Sequence, residues 1–232
     1  MRMNILSTFY LVSCAFLFLG ALSANALKTG LLIDRENAAI ILIDVQPFFV
    51  DIMHGSREPV MERLEQLLVV ADWTKIPLIA TFEHPTEQNG WLPDRLEKVF
   101  PKNASRFVKR TFCLCREPEI RTKLEELSLK QIVLAGCETD VCVLQSALGL
   151  LEMGYQVFLL EDCVFTNESH PEPALERMYR AGVIPSTYKT FFYELTQSVD
   201  RETLPAEWKE RFSSFQKIFK SPYKLSPWEL KK

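Results

Sequence analysis

Two uninterrupted apolar runs limit what this chain can fold into. Ala38–Val45 reads AAIILIDV, and Gln131–Ala135 reads QIVLA with Gly136 at its boundary. Neither alternates polar with apolar residues, so neither suits a sheet with one wet face. Both suit strands covered on two sides, which is the condition of a parallel sheet between helical layers. The intervening segments fit that frame. Glu58–Trp73 carries Val60, Leu64, Leu67, Leu68 and Ala71 at helical spacing, and Pro77–Glu83 reads as a strand. Arg106–Arg110 is a short strand, Glu117–Leu127 a helix, Tyr155–Glu161 a strand, Pro173–Ala181 a helix stopped by Gly182, and Val183–Ser186 a last short strand. The alternation predicts an α/β fold, a Rossmann-like three-layer sandwich whose central parallel sheet has about six strands with helices on both faces. His84–Phe100 is a long connection whose Trp91 could wall a pocket.

Three segments differ in composition. Residues 1–26 hold Arg2 as their only charge, an apolar run Ile5–Leu22 and an Ala24-Asn25-Ala26 end, the pattern of a signal peptide cut after Ala26. Two other readings stand beside it: an uncut membrane anchor, and a lipoprotein box at Leu11–Cys14, although an apolar rather than a polar stretch follows Cys14. The expected location is therefore periplasmic or secreted, or membrane-anchored if the segment stays. Residues 27–199 form the expected domain. Residues 200–232 are an extension in which Trp208, Phe212, Phe215 and Phe219 share one helical face over Ala206–Phe219. Such a face packs on the domain or on a second subunit, so a homo-oligomer is expected.

The charge balance excludes some partners. Loss of Arg2 moves the net charge from −3 to −4, so neither nucleic acid nor stable membrane insertion after leader removal is expected. The cysteines beyond Cys14, namely Cys113, Cys115, Cys137, Cys142 and Cys163, are too few for a disulfide scaffold, and no Cys-x-x-Cys occurs. Cys113 and Cys115 read first as packing residues, with a thiol-redox role as a minor alternative, since a Cys-x-Cys bridge would be strained.

The chemistry-bearing positions lie at strand ends. In Gln131–Gly154 the strand is followed by Thr139, an N-cap candidate, and then by Val143, Leu144, Ala147, Leu148 and Leu151 at helical spacing. Cys142 then falls in the first turn, where free N–H groups and the helix dipole favour a thiolate and hold an oxyanion. It is either an activated nucleophile or one more small buried residue. Asp44 closes one strand and Lys109 another. An acid to move the proton and a cation to stabilise the sulfur are what a cysteine nucleophile needs. His54, His84 and His170, the only histidines, all fall in expected loops.

These residues resemble a known family. Asp44-Val45-Gln46 with Phe49 resembles the D-x-Q-x-x-F motif of isochorismatase-like cysteine hydrolases. Lys109 resembles that family's lysine, and Gly136-Cys137-Glu138-Thr139-Asp140-Val141-Cys142-Val143 its G-x-x-T-x-x-C-V turn. The likeness runs from about Ala38 to Leu195. It implies an Asp44–Lys109–Cys142 triad, an oxyanion hole from the backbone N–H groups of Glu138 and Cys142, and a cis peptide at Cys137–Glu138. Phe49, Trp91 and Glu138 are the expected substrate contacts. Where nicotinamidases of the family carry Asp-x-His, this chain has Glu83-His84-Pro85, so no metal and no cofactor are expected. After Lys109 the usual Ser-Ala-Phe-like segment is replaced by Thr111-Phe112-Cys113-Leu114-Cys115.

Three readings follow. The chain is a cysteine amidase for a small amide, ureide or carbamoyl compound, working through a thioester. Or it is a vinyl-ether hydrolase that relies on Asp44. Or it is a non-catalytic oligomeric binding protein of the same fold.

Overall fold

The computed structural model describes residues 30–200. The leader 1–26 and the aromatic face of Ala206–Phe219 lie outside the described residues. The compact unit begins at Leu32.

The sheet has six strands: β1 (Ala38–Ile43), β2 (Leu78–Glu83), β3 (Ser105–Lys109), β4 (Gln131–Cys137), β5 (Gln156–Phe165) and β6 (Ile184–Ser186). All pairings are parallel, in the order β3-β2-β1-β4-β5-β6. The two apolar runs are neighbours at the centre, paired from Ala38–Gln131 to Ile43–Gly136, and every residue of both strands is buried. Their side chains feed two cores by turns. Ile40, Leu42, Val133 and Ala135 face one helical layer, and Ala39, Ile41, Ile43, Ile132 and Leu134 face the other.

The helices follow the same division. On the first face lie α2 (Arg57–Thr74) and α8 (Tyr188–Thr196), joined by stacking of Trp73 on Phe192 at 6.3 Å. On the second lie α5 (Pro118–Leu127), α6 (Leu144–Glu152) and α7 (Glu172–Ala181). Shorter helices are α1 (Pro47–Ile52), α3 (Thr86–Asn89) and α4 (Asp94–Glu97), the last two inside the long connection after β2. A 3-10 turn spans Leu114–Arg116, and a π-helical turn, Thr139–Val143, stands between β4 and α6.

Two local expectations are corrected. Thr139 does not cap a helix: it is buried inside the π turn, whose flanking residue Glu138 makes no side-chain cap. Cys142 accordingly lies in that turn, ahead of α6. In addition, the structure adds α1 and α8, which the sequence pattern does not predict. The start of α8 is capped by Thr187, whose hydroxyl accepts from the Thr190 N–H.

The order of strands places the reversal of winding between β1 and β4, where open parallel sheets build their sites outside the carboxyl ends. Gly136 makes that junction tight. Its φ is +112°, and a Cβ there would lie 2.0 Å from the carbonyl oxygen of Ile43. Neither the conformation nor the space admits a side chain. Gly136→Ala is expected to cost at least ~3 kcal/mol of stability, read as a lower urea midpoint at unchanged slope; a loss below about 1 kcal/mol would contradict this packing.

Candidate active site

Four strand ends converge at the β1–β4 junction. Asp44 follows β1 in a left-handed backbone conformation, φ 49°, a region that Asp enters more readily than bulkier residues. Its carbonyl accepts from the Gln46 N–H at 2.7 Å, so the chain turns back at once. Gln46 is itself buried and stitches the turn to the neighbouring strand end. Its amide nitrogen donates to the carbonyls of Glu83 and Gly90, and its oxygen accepts from the Glu83 N–H at 2.7 Å. This gives the glutamine of the Asp44-Val45-Gln46 motif a physical role: it fixes the ends of β1 and β2 together.

Lys109 ends β3 in register with Glu83 of β2. Its side chain is fully buried and its ammonium touches three groups: Asp44 Oδ2 at 2.6 Å, Glu83 Oε2 at 3.4 Å and Cys142 Sγ at 3.4 Å. Thr81 Oγ1 donates to the other Asp44 oxygen at 2.8 Å. The Cys142 thiol donates to Glu83 Oε2 at 3.3 Å. The structure therefore brings Asp44, Lys109 and Cys142 together, and adds Glu83, which the sequence marks as the end of a strand and as the residue standing where nicotinamidases carry the first acid of Asp-x-His. The signal for it is an acid closing a buried strand, the same one that draws attention to Asp44.

Electrostatics divides these groups. Burial pushes the Asp44 carboxyl up, and the Lys109 ammonium pulls it part of the way back. Burial acts to lower Lys109, but the charges of Asp44, Cys142 and Glu83 outweigh it, so the lysine stays protonated well past its ordinary range. Cys142 is raised by burial first and then by Asp44 and Glu83, with Lys109 opposing. This corrects the expectation of a lowered thiol: two carboxylates surround the sulfur against one ammonium, and the resting group is a thiol.

The Cys137–Glu138 peptide is cis, as is His84–Pro85. The Glu138 side chain is half-buried and accepts from the Asn167 N–H. Phe49 packs into the core, and Trp91 is half exposed and lies on Phe82, 5.0 Å between rings. A cavity of about 250 Å³ borders the far side of the π turn at Thr139, and the Cys142 sulfur does not reach it. Ligand atoms of Asp44, Glu83 and Cys142 lie within 4.8 Å of one another, a spacing a cation could use. Lys109 Nζ contacts all three of these residues.

A family model described as the isochorismatase domain matches residues 38–190. Isochorismatase family protein 1B of Dictyostelium discoideum is 29% identical over 171 residues, 72% of this chain and 82% of that protein. Among solved structures, YcaC from Pseudomonas aeruginosa, with hexane-2,5-diol and covalent acrylamide, has a TM-score of 0.72 at 23% identity, covering 83% of this chain and 92% of that one. The YcaC gene product of Escherichia coli, an octameric hydrolase of unknown specificity, has a TM-score of 0.71 at 23% identity, covering 83% and 91%. With the family's domain spanning the whole sheet and every strand end of the site, the chain belongs to the isochorismatase family of hydrolases.

Proposed function

We propose that the protein is a cysteine hydrolase that cleaves the C–N bond of a small amide, ureide or carbamoyl compound through a thioester on Cys142. One observation carries the reading: a buried ammonium contacts two carboxylates and a thiol at once, at the edge of the sheet where substrates bind. The covalent acrylamide of the Pseudomonas aeruginosa YcaC supports looking for nucleophile chemistry on this fold.

The carboxylates divide the work by environment. Asp44, 1% exposed and bonded to Lys109 and Thr81, holds the ammonium in place. Glu83, whose side chain is 23% exposed, is the base that water and substrate can reach. Cys142 Sγ attacks the carbonyl carbon while its proton passes to Glu83, the carboxylate it already donates to. Lys109 offsets the negative charge of the group as the sulfur loses its proton. The backbone N–H groups of Glu138 and Cys142 are assigned to the oxyanion. Glu83 returns the proton to the leaving nitrogen, and the C–N bond breaks. Water then attacks the thioester as Glu83 takes its proton, the S–C bond breaks, and the sulfur is reprotonated as the acid departs. In this scheme Glu83 makes the proton transfers that the family likeness assigns to Asp44.

A second reading has a specific observation behind it. Burial raises the Asp44 carboxyl, which favours a protonated acid able to donate to a vinyl ether. The two readings separate cleanly, because vinyl-ether cleavage would survive Cys142→Ala and fail in Asp44→Asn.

Two outcomes are expected. In a screen of small amides and ureides followed by release of ammonia, Cys142→Ala should lose at least about a thousandfold in kcat/KM, as removal of a nucleophile does; full retention would remove the thioester scheme. Glu83→Gln should pull the two readouts apart. Loss of that carboxylate makes the thiol easier to ionise, so alkylation of Cys142 by iodoacetamide at pH 8 should quicken, by about tenfold for each pH unit by which the thiol's titration midpoint falls. Turnover should fall in the same variant, with the thioester accumulating in intact-mass spectra. Slower alkylation would show that Glu83 does not hold the sulfur in its thiol form.

A further inference from the structure

Outside the catalytic cluster, the segment that departs from the family pattern gathers two more sulfurs. Cys113 precedes the 3-10 turn Leu114–Arg116 and Cys115 lies within it. Both are free thiols. They converge on one point of α6: a Cβ at Gly149 would lie 2.7 Å from Cys113 Sγ and 3.1 Å from Cys115 Sγ. A glycine at 149 is thus what lets the two sulfurs occupy the same notch. The Cys115 thiol donates to the Ser146 carbonyl at 3.9 Å; its nearness and the Arg116 charge draw the Cys113 thiol below its ordinary range, to about 6, against burial, while Cys115 is pushed up. Of the two thiols, Cys113 is thus the one that ionises more readily.

Cys113 is 7% exposed and Cys115 half-buried. Both line a recess of about 340 Å³ whose charged walls are Arg116, Arg121 and Glu152. Two cations against one acid give the recess a positive bias, suited to a small ligand bearing carboxylates. The segment is held to the helix beside it, since the Leu114 N–H donates to Ser146 Oγ at 3.1 Å and that hydroxyl donates to the Phe112 carbonyl at 3.3 Å. The thiol pair is thus presented by an anchored turn.

We propose that Cys113 and Cys115 form a second reactive site, a vicinal dithiol that exchanges with small anionic disulfides of the peptide type. The Cys113 thiolate attacks one sulfur of the ligand disulfide, whose S–S bond breaks and releases one thiolate. Cys115 then attacks the mixed disulfide at Cys113 and releases the second. The protein dithiol loses two electrons and two protons, and the ligand disulfide gains them as two thiols. A Cys-x-Cys ring is strained, so the resulting bridge is readily reduced and the step reversible.

The test uses the reduced full-length protein and glutathione disulfide, with tryptic mapping after quenching. The peptide 111–116, bounded by Arg110 and Arg116, contains both cysteines. It is expected to lose two hydrogens at least ten times faster than the fully buried Cys163 is modified. Cys115→Ser should stop the reaction at a mixed disulfide on Cys113, and Cys113→Ser should leave Cys115 free. The proposal is overturned if peptide 111–116 stays reduced while other cysteines react, or if Cys115→Ser yields no adduct at Cys113. Because Cys142 lies outside this peptide, the result stands apart from the hydrolase reading.

Discussion

The site depends on one buried charge. An ammonium taken out of water costs several kcal/mol, and that cost is offset only where good partners surround it. Lys109 finds them because three strands end at the same edge: Asp44 from β1, Glu83 from β2, and Lys109 itself from β3. The π turn after β4 then brings Cys142 within 3.4 Å of the same nitrogen. Sheet order decides this convergence, since β3, β2, β1 and β4 are consecutive neighbours. A different winding would leave the lysine facing apolar side chains, where it would give up its proton or the fold would open.

Supporting contacts make the arrangement specific. The Gln46 side chain bridges the ends of β1 and β2, Thr81 fixes one Asp44 oxygen, and the buried Cys137 thiol donates to the Asp44 carbonyl at 3.0 Å. Thr81 and Cys137 thus add donors to the Asp44 side chain and carbonyl, while Gln46 satisfies backbone groups of Glu83 and Gly90. The close approach of Gly136 to Ile43 then sets the chain leading into the π turn against the end of β1.

Much of this was legible in the sequence, for physical reasons that also mark where legibility ends. Ala38–Val45 and Gln131–Ala135 announced a covered parallel sheet because no other setting takes unbroken apolar runs of that length. Asp44, Lys109 and Cys142 could be picked out because each stands at a strand end or in the turn that follows one. Glu83 was noticed only as the counterpart of a metal-motif acid and given no place beside the triad, because its contact with Lys109 comes from register across β2 and β3. Helix α8 was missed although Thr187 offered a cap, because Phe191 and Phe192 are adjacent and mask the helical period. The long β5 reaches Phe165 through a register shift between Leu134 and Gly136 of its partner, an irregularity that no alternation pattern encodes.

The state of the sulfur is where sequence reasoning was reversed, and magnitudes explain why. A helix start contributes about 0.3–1 kcal/mol in favour of a nearby anion. A carboxylate 3.3 Å from the sulfur opposes that anion by about 5 kcal/mol at an effective dielectric constant near 20. Lys109 at 3.4 Å cancels one carboxylate, which leaves the second and the burial of the sulfur to decide the balance. The dipole is the smallest contribution, so its direction cannot govern the outcome. A thiol held this way has a biochemical use. It resists casual oxidation and alkylation, since the thiolate is the reactive form. In the proposed reaction it becomes nucleophilic when an electrophilic carbonyl arrives and the proton has Glu83 to go to. On that proposal loss of the proton is linked to bond formation, because the carboxylate that opposes the free thiolate is also the one to which the thiol donates.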